Sequence, residues 1–178
     1  SAQQLAWGDT ARIGSLNAGI DLPDLAQGRV AVDLRASRLI AAGRRLDRLR
    51  VRADGDVDAH TIRVDAAGDD LSASAAADGA LSSEADGAWR WEGRLVEFDA
   101  TAPIALQLQS PASVQVDERG ALLGESSWRI DGAPLDVATL AWRDGSFAAR
   151  GDARALPVGG WMRRFAPAAD AIEQADAE

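Results

Sequence analysis

From Val30 onward the chain repeats in steps of two. Val30, Val32, Leu34 and Ala36 alternate with Ala31, Asp33 and Arg35, the period expected of a β-strand whose faces meet different surroundings. The pattern returns in Leu49, Val51 and Ala53 against Arg48, Arg50 and Arg52, and in His60, Ile62, Val64 and Ala66 against Thr61, Arg63 and Asp65. It continues through Leu71, Ala73, Ala75 and Ala77; Trp89 and Trp91; Ile104, Leu106 and Leu108; Val114 and Val116; Trp128 and Ile130; Leu140 and Trp142; and Phe147 and Ala149. Asp-Gly pairs at Asp54-Gly55, Asp78-Gly79, Asp86-Gly87, Asp131-Gly132 and Asp144-Gly145, with Arg119-Gly120, punctuate these runs. Gly supplies the positive φ of a tight reversal and Asp tolerates it, so each pair is predicted to be a hairpin turn.

The outcome is an antiparallel meander of about ten strands, with no helical stretch between them to build a parallel βαβ sheet. Nearly every strand carries the same one-sided pattern, and nothing else in the chain is available to cover the apolar side. The sheet must therefore curl on itself. A closed barrel, a two-sheet sandwich and an open curved trough all satisfy the pattern. Residues 1–28 read as an irregular lead-in, 29–158 as the sheet, and 159–178, rich in Ala, Glu and Asp, as a short helix or a disordered tail.

Composition narrows the function classes. Alanine makes up nearly half of the apolar residues, and Leu, Ile, Val and Phe together are about a fifth of the chain, near the level at which a charged sequence fails to fold. Six Trp favour order, each able to bury about 150–250 Å². The net charge is −9, every basic residue is Arg, and an acidic surface repels nucleic-acid phosphates. With no Cys and one His, disulfides, thiol nucleophiles and the usual zinc ligand sets are absent. No apolar run approaches the roughly 18 residues of a membrane helix, so this stretch is expected neither to span a bilayer nor to carry its own export signal.

The individual candidate sites read as structural. Asp54, Asp56, Asp58 and Asp65 are spaced somewhat like a calcium loop, but Ala59 stands where that loop needs Gly and Asp65 where it needs a bidentate Glu. They are read as a solvated hairpin tip. His60 lies on the apolar side without a recognisable nucleophile or orienting group, so it reads as a satisfied structural histidine. Glu92 and Glu97 carry no glycosidase signal without geometry. The row Arg44, Arg45, Arg48, Arg50, Arg52 and Arg63 reads as a solvated outer face paired with acids, with an anionic-ligand patch as the alternative. Trp7, Trp89, Trp91, Trp128, Trp142 and Trp161 suggest sugar stacking, but four of them keep the apolar register and read as core or groove. No catalytic residue, metal or cofactor is expected.

The order of the pieces resembles a known family. From Leu39 the chain runs LIAAGRRLDRLRVRADGDVDAHTIRV, then WRWEGRLVEFD, then LQLQSPASVQV, and closes the sheet with GDARALPV. This succession, over roughly Leu39 to Val158, is similar to the mid-region of the TamB family, the inner-membrane-anchored periplasmic subunits of the translocation and assembly module. The resemblance implies an all-β fold, a long antiparallel meander curled into an open U-shaped groove called a β-taco, shared with AsmA-like bridge-type lipid-transfer proteins. It also implies a non-enzymatic function: phospholipid transport between inner and outer membranes, and help in assembling autotransporters and other outer-membrane proteins. The implied partners are phospholipid acyl chains, a TamA-like outer-membrane barrel and outer-membrane protein clients.

On that reading Leu49, Val51, Ile62, Val64, Ile104, Leu106, Leu108, Val114, Val116, Trp128, Ile130 and Trp142 line the groove. A continuous apolar face without a cover suits acyl chains independently of the resemblance. The alternatives are a scaffold that templates client strands at an exposed sheet edge, and a secreted adhesin or sugar-binding sandwich. Open edges at Val30–Ala36 and Phe147–Ala153 also predict edge-to-edge self-association.

Overall fold

The computed structural model describes residues 2–7, 11–21, 28–41, 44–83, 87–102 and 104–165. Its backbone is one antiparallel sheet: β1 (Ala2–Trp7), β2 (Ala11–Asp21), β3 (Arg29–Ala41), β4 (Arg44–Asp56), β5 (Ala59–Gly68), β6 (Ser72–Ser83) and β7 (Trp89–Ala100), followed by β8 (Leu106–Leu108), β9 (Ala112–Asp117), β10 (Gly120–Leu123), β11 (Ser126–Ile130), β12 (Ala133–Arg143) and β13 (Ser146–Ala153). A short helix, α1 (Val158–Phe165), follows the last strand. β8 and β9 lie end to end along β7, and β10 and β11 lie end to end along β12. Among the described residues the topology is thus a plain meander of 11 strands, two of them broken. The first break contains Pro111, which has no N–H to give to a ladder. The bonds Gln109 N–H to Ser127 O (2.8 Å) and Gly124 N–H to Ser113 O (2.9 Å) hold the two broken strands together at their breaks.

Two strands, β1 and β2, occupy the stretch that periodicity leaves irregular, and β2 pairs with β3 from Ala11↔Ala41 to Asp21↔Ala31. Among the described residues the N-terminal edge strand is therefore β1, not the segment from Val30. Among the described residues no second sheet packs on this one and no pairing joins its first and last strands, so the sheet is an open groove rather than a barrel or sandwich. Residues 166–178, most of the expected tail, lie outside the described residues.

The turns divide the Asp-Gly pairs into two kinds. Asp131-Gly132 (φ 48° and 84°) and Asp144-Gly145 (φ 49° and 76°) are two-residue reversals with both φ positive, the mirror-image turn whose twist suits a hairpin. Arg119 lies in the β9–β10 turn, where the Asp117 carboxylate accepts the N–H groups of Arg119 (2.9 Å) and Gly120 (3.1 Å). Those bonds, the Arg119 N–H foremost, lower the Asp117 pKa, and the Arg143 guanidinium 3.4 Å away lowers it further. Asp54-Gly55 and Asp78-Gly79, by contrast, lie inside β4 and β6, and the β4–β5 reversal falls at Val57-Asp58. Gly55 there has a positive φ of 134°, and Gly79 leaves room for the Trp91 ring. Gly87 lies in the β6–β7 link, and its partner Asp86 is outside the described residues.

Register slips of one residue leave Asp47 in β4, Val96 in β7 and Ala138 in β12 without a partner in the ladder. Such bulges sharpen the twist of a sheet and bend it. They also keep the apolar face continuous: after Val96 the alternation changes phase, so Phe98 joins Leu95 on the same side. Phe98 on β7 then meets Trp128 on β11 edge to face, with ring centroids 5.4 Å apart, although β8 lies between their strands. The sheet is concave on that side, and the core is thin. Trp91 and Trp128 are buried with four alanines, and no large side chain among the described residues is fully enclosed. α1 is tied back by Trp161, whose indole N–H donates to Asp131 Oδ2 at 2.6 Å, while Asp131 Oδ1 accepts the Ala105 N–H at 2.9 Å.

Candidate functional site: the apolar face of the sheet

Cross-strand partners share a face, so the registers place the apolar residues directly. One row runs Leu49–Ala66–Ala73–Ala100–Leu106–Ile130–Ala133. Beside it run Val51–Val64–Ala75–Phe98 and Ala53–Ile62–Ala77–Leu95–Ala112. Further along come Gly55–His60–Gly79–Gly93–Val114–Leu123–Leu140 and Leu81–Trp91–Val116–Ala121–Trp142–Phe147. Leu108–Trp128–Leu135 completes the face at β8, β11 and β12.

Eleven of the twelve residues predicted to line a groove thus stand on one face. Ile104 does not belong to the set by register, because it lies in the link before β8, outside any strand. Leu95, Phe98, Leu123, Leu135 and Leu140 join it, and alternation alone missed Phe98 because of the bulge. Most of these side chains are half-buried, while Trp142 (53%) and Phe147 (66%) are exposed.

Two buried polar residues stand on the apolar face, and each receives an indole N–H. The Trp128 indole donates to Ser126 Oγ at 2.9 Å, and that hydroxyl donates to Gly124 O at 3.2 Å. The Trp91 indole donates to His60 Nε2 at 2.8 Å. An indole N–H can only donate, so Nε2 is the unprotonated nitrogen; Nδ1 carries the hydrogen and donates to Asp56 O at 3.0 Å. His60 therefore has both ring nitrogens engaged and acts as a structural fastener. No buried polar side-chain atom among the described residues lacks a partner.

The glycines inside the strands make this geometry possible. A Cβ on Gly79 would lie 2.4 Å from Trp91 Cζ2, and one on Gly93 would lie 2.5 Å from Trp91 Cη2. The indole lies across this cross-strand glycine pair to reach His60 on β5. Sequence spacing carried the signal, an Asp-Gly pair in phase with apolar positions on a strand, but the same dipeptide also spells a turn.

The opposite face is polar. Asp54, Asp58, Asp78 and Glu92 surround a shallow depression with Arg94, but among the described residues no three acids converge as a metal site would need. Arg50 clamps Asp33 with Nε and the guanidinium end (3.1 and 2.8 Å), and Arg35 adds a third contact at 2.7 Å. The Arg50 hydrogen bonds, with lesser help from Arg35, lower the Asp33 pKa to about 2. A depressed carboxylate stabilises the fold above its unfolded titration range and loses that contribution progressively as pH falls from there through about 2. A carboxyl carbon NMR titration is expected to show this low midpoint, and Arg50→Met is expected to move it back up. A midpoint unaffected by that change would refute the assignment. Arg52 and Arg63 stand directly opposite each other, and Arg45 and Arg48 are exposed. Glu92 and Glu97 both sit exposed on this face, with Arg90 4.0 Å from Glu92.

A family model described as the N-terminal domain of TamB matches residues 1–135. The match begins in the lead-in, reaches into β12, and names the N-terminal domain where the resemblance had pointed to the mid-region. No curated protein and no solved structure matches the chain. Since the match covers about three quarters of the 178 residues, the chain belongs to the TamB family.

Proposed function

We propose that the apolar face carries phospholipid acyl chains as part of a non-enzymatic, periplasmic, inner-membrane-anchored protein that moves lipid between the two membranes. A TamA-type outer-membrane barrel and outer-membrane protein clients are its partners in this reading. The observation that carries it is a contiguous, half-exposed apolar face across β3–β13 with no covering layer among the described residues. An open apolar surface of this extent calls for a partner, and each methylene it removes from water is worth about 0.8 kcal/mol. The two buried indole N–H groups on that face, those of Trp91 and Trp128, are bonded within the protein, so they ask nothing polar of an occupant. Native mass spectrometry of the protein purified from a lipid-rich extract is expected to show bound phospholipid. Protein free of lipid under those conditions would refute the reading.

The edge of the sheet favours strand templating as a second activity. Among the described residues β13 pairs only with β12, and all eight of its residues are exposed. An open row of N–H and C=O groups accepts another strand, from a client or from a second copy. Sedimentation over a hundredfold concentration range is expected to show self-association that proline in β13 reduces. A strictly monomeric species would indicate a capped edge.

A further inference from the structure

We propose that His60 and Trp91 form a proton-operated latch over a glycine-floored slot in the apolar face. The bond holding the indole requires neutral imidazole, since Trp91 N–H points at His60 Nε2 from 2.8 Å and Nδ1–H is committed to Asp56 O. A proton on Nε2 sets one N–H against another, and the bond is replaced by repulsion. His60 is the single histidine of the chain, so no second imidazole can take its place.

What the released indole uncovers is a recess. Gly79 and Gly93 are cross-strand partners under the ring, and Gly55 faces His60 in the same row. These three positions have no side chain, so the space the ring leaves is bounded by backbone and open to the groove. A slot one aromatic ring deep, floored by glycine and walled by Ala77 and Leu95 of the next row, fits a hydrocarbon chain. Acid therefore deepens the groove at this point. The latch itself stands on the geometry of the indole; its consequence for lipid rests on the groove reading above.

The charged groups nearest His60 in the chain and register, Asp54 and Asp56 of β4, Asp58 of the turn, Asp78 of β6, and Glu92 and Arg94 of β7, belong to the polar face, opposite the imidazole. All are retained in His60→Gln, which keeps an acceptor for the indole but takes up no proton, so any pH dependence they cause survives in that variant. Trp91→Phe removes the donor instead and tests the same contact from the other side.

The experiment follows the Trp91 indole N–H signal by NMR between about pH 7.5 and about pH 5. It is paired with binding of a pyrene-labelled phosphatidylcholine at both ends of the range. In the unaltered protein the indole signal is expected to move with the His60 ring signals, and the probe to bind several-fold more tightly in acid. In His60→Gln and Trp91→Phe, probe binding is expected to be nearly independent of pH. An indole signal that stays fixed while His60 titrates, or a His60 that takes up no proton in this range, overturns the latch, as does an unchanged pH dependence in both variants. If the indole moves and the probe binds at neither pH, the latch stands and the lipid reading falls.

Discussion

Leu106→Asp is expected to reduce phospholipid capture about tenfold or more, while Gln107→Asp, one residue along β8, leaves it within about twofold. Leu106 faces Ala100 and Ile130 in the middle of the longest apolar row, and Gln107 pairs with Asp99 and Arg129 on the polar side. A carboxylate beneath an acyl chain must give up water or repel the chain, at a cost of several kcal/mol when ionised, against about 1.4 kcal/mol for each tenfold in affinity. Without lipid the charge stays hydrated, because Leu106 is only half-buried and the groove is open. Circular dichroism is therefore expected to show both variants folded, and the contrast reads the face and not the fold. Equal losses in the two variants would show that lipid does not distinguish the faces.

The second large effect concerns stability. Gly79→Ala is expected to cost about 1–3 kcal/mol, the usual penalty of overpacking, because its methyl lands 2.4 and 2.6 Å from Trp91 ring atoms and 2.7 Å from Glu92 O. The ring cannot slide away without giving up the bond to His60. For a chain of this size the melting temperature should fall by about 3–10 °C. Gly160→Ala in α1 is the contrast: its Cβ meets nothing within 4 Å, and alanine is a better helix former than glycine by about 1 kcal/mol. Adding Trp91→Leu should shrink the cost of Gly79→Ala, since the clashing ring is gone. A Gly79→Ala variant as stable as the parent would mean that the indole does not rest on this glycine.

How the chain divides between what is local and what is not can be followed at particular residues. Alternation depends only on neighbours in the chain, so it was enough to assign β3–β9 and β11–β13 to strands and to place Leu49, Val51, Ile62, Val64, Leu106, Val114, Val116 and Trp128 on one side, while the short β10 passed unread. The turns at Asp131-Gly132 and Asp144-Gly145 were legible for the same reason, because positive φ is a property of the dipeptide itself. The succession of such segments was also enough to suggest the family, which the match over residues 1–135 then established.

Everything that depends on contact between distant strands was decided by the tertiary structure. Gly55 and Gly79 read as turns until the partner strands are known; only then does Gly79 lie beneath Trp91, while Gly55 faces the His60 to which that indole is bonded. The slip at Val96 brings Phe98 onto the apolar face because Ala77 pairs with Leu95 and Ala76 with Glu97, and no pattern within β7 alone reveals that count. β2 became a strand by pairing onto β3, and β1 by pairing onto β2, although their own sequence alternates poorly. Periodicity can say that a face is apolar, but whether the sheet closes over that face depends on accumulated twist, bulges and end-to-end pairing, which are properties of the whole sheet.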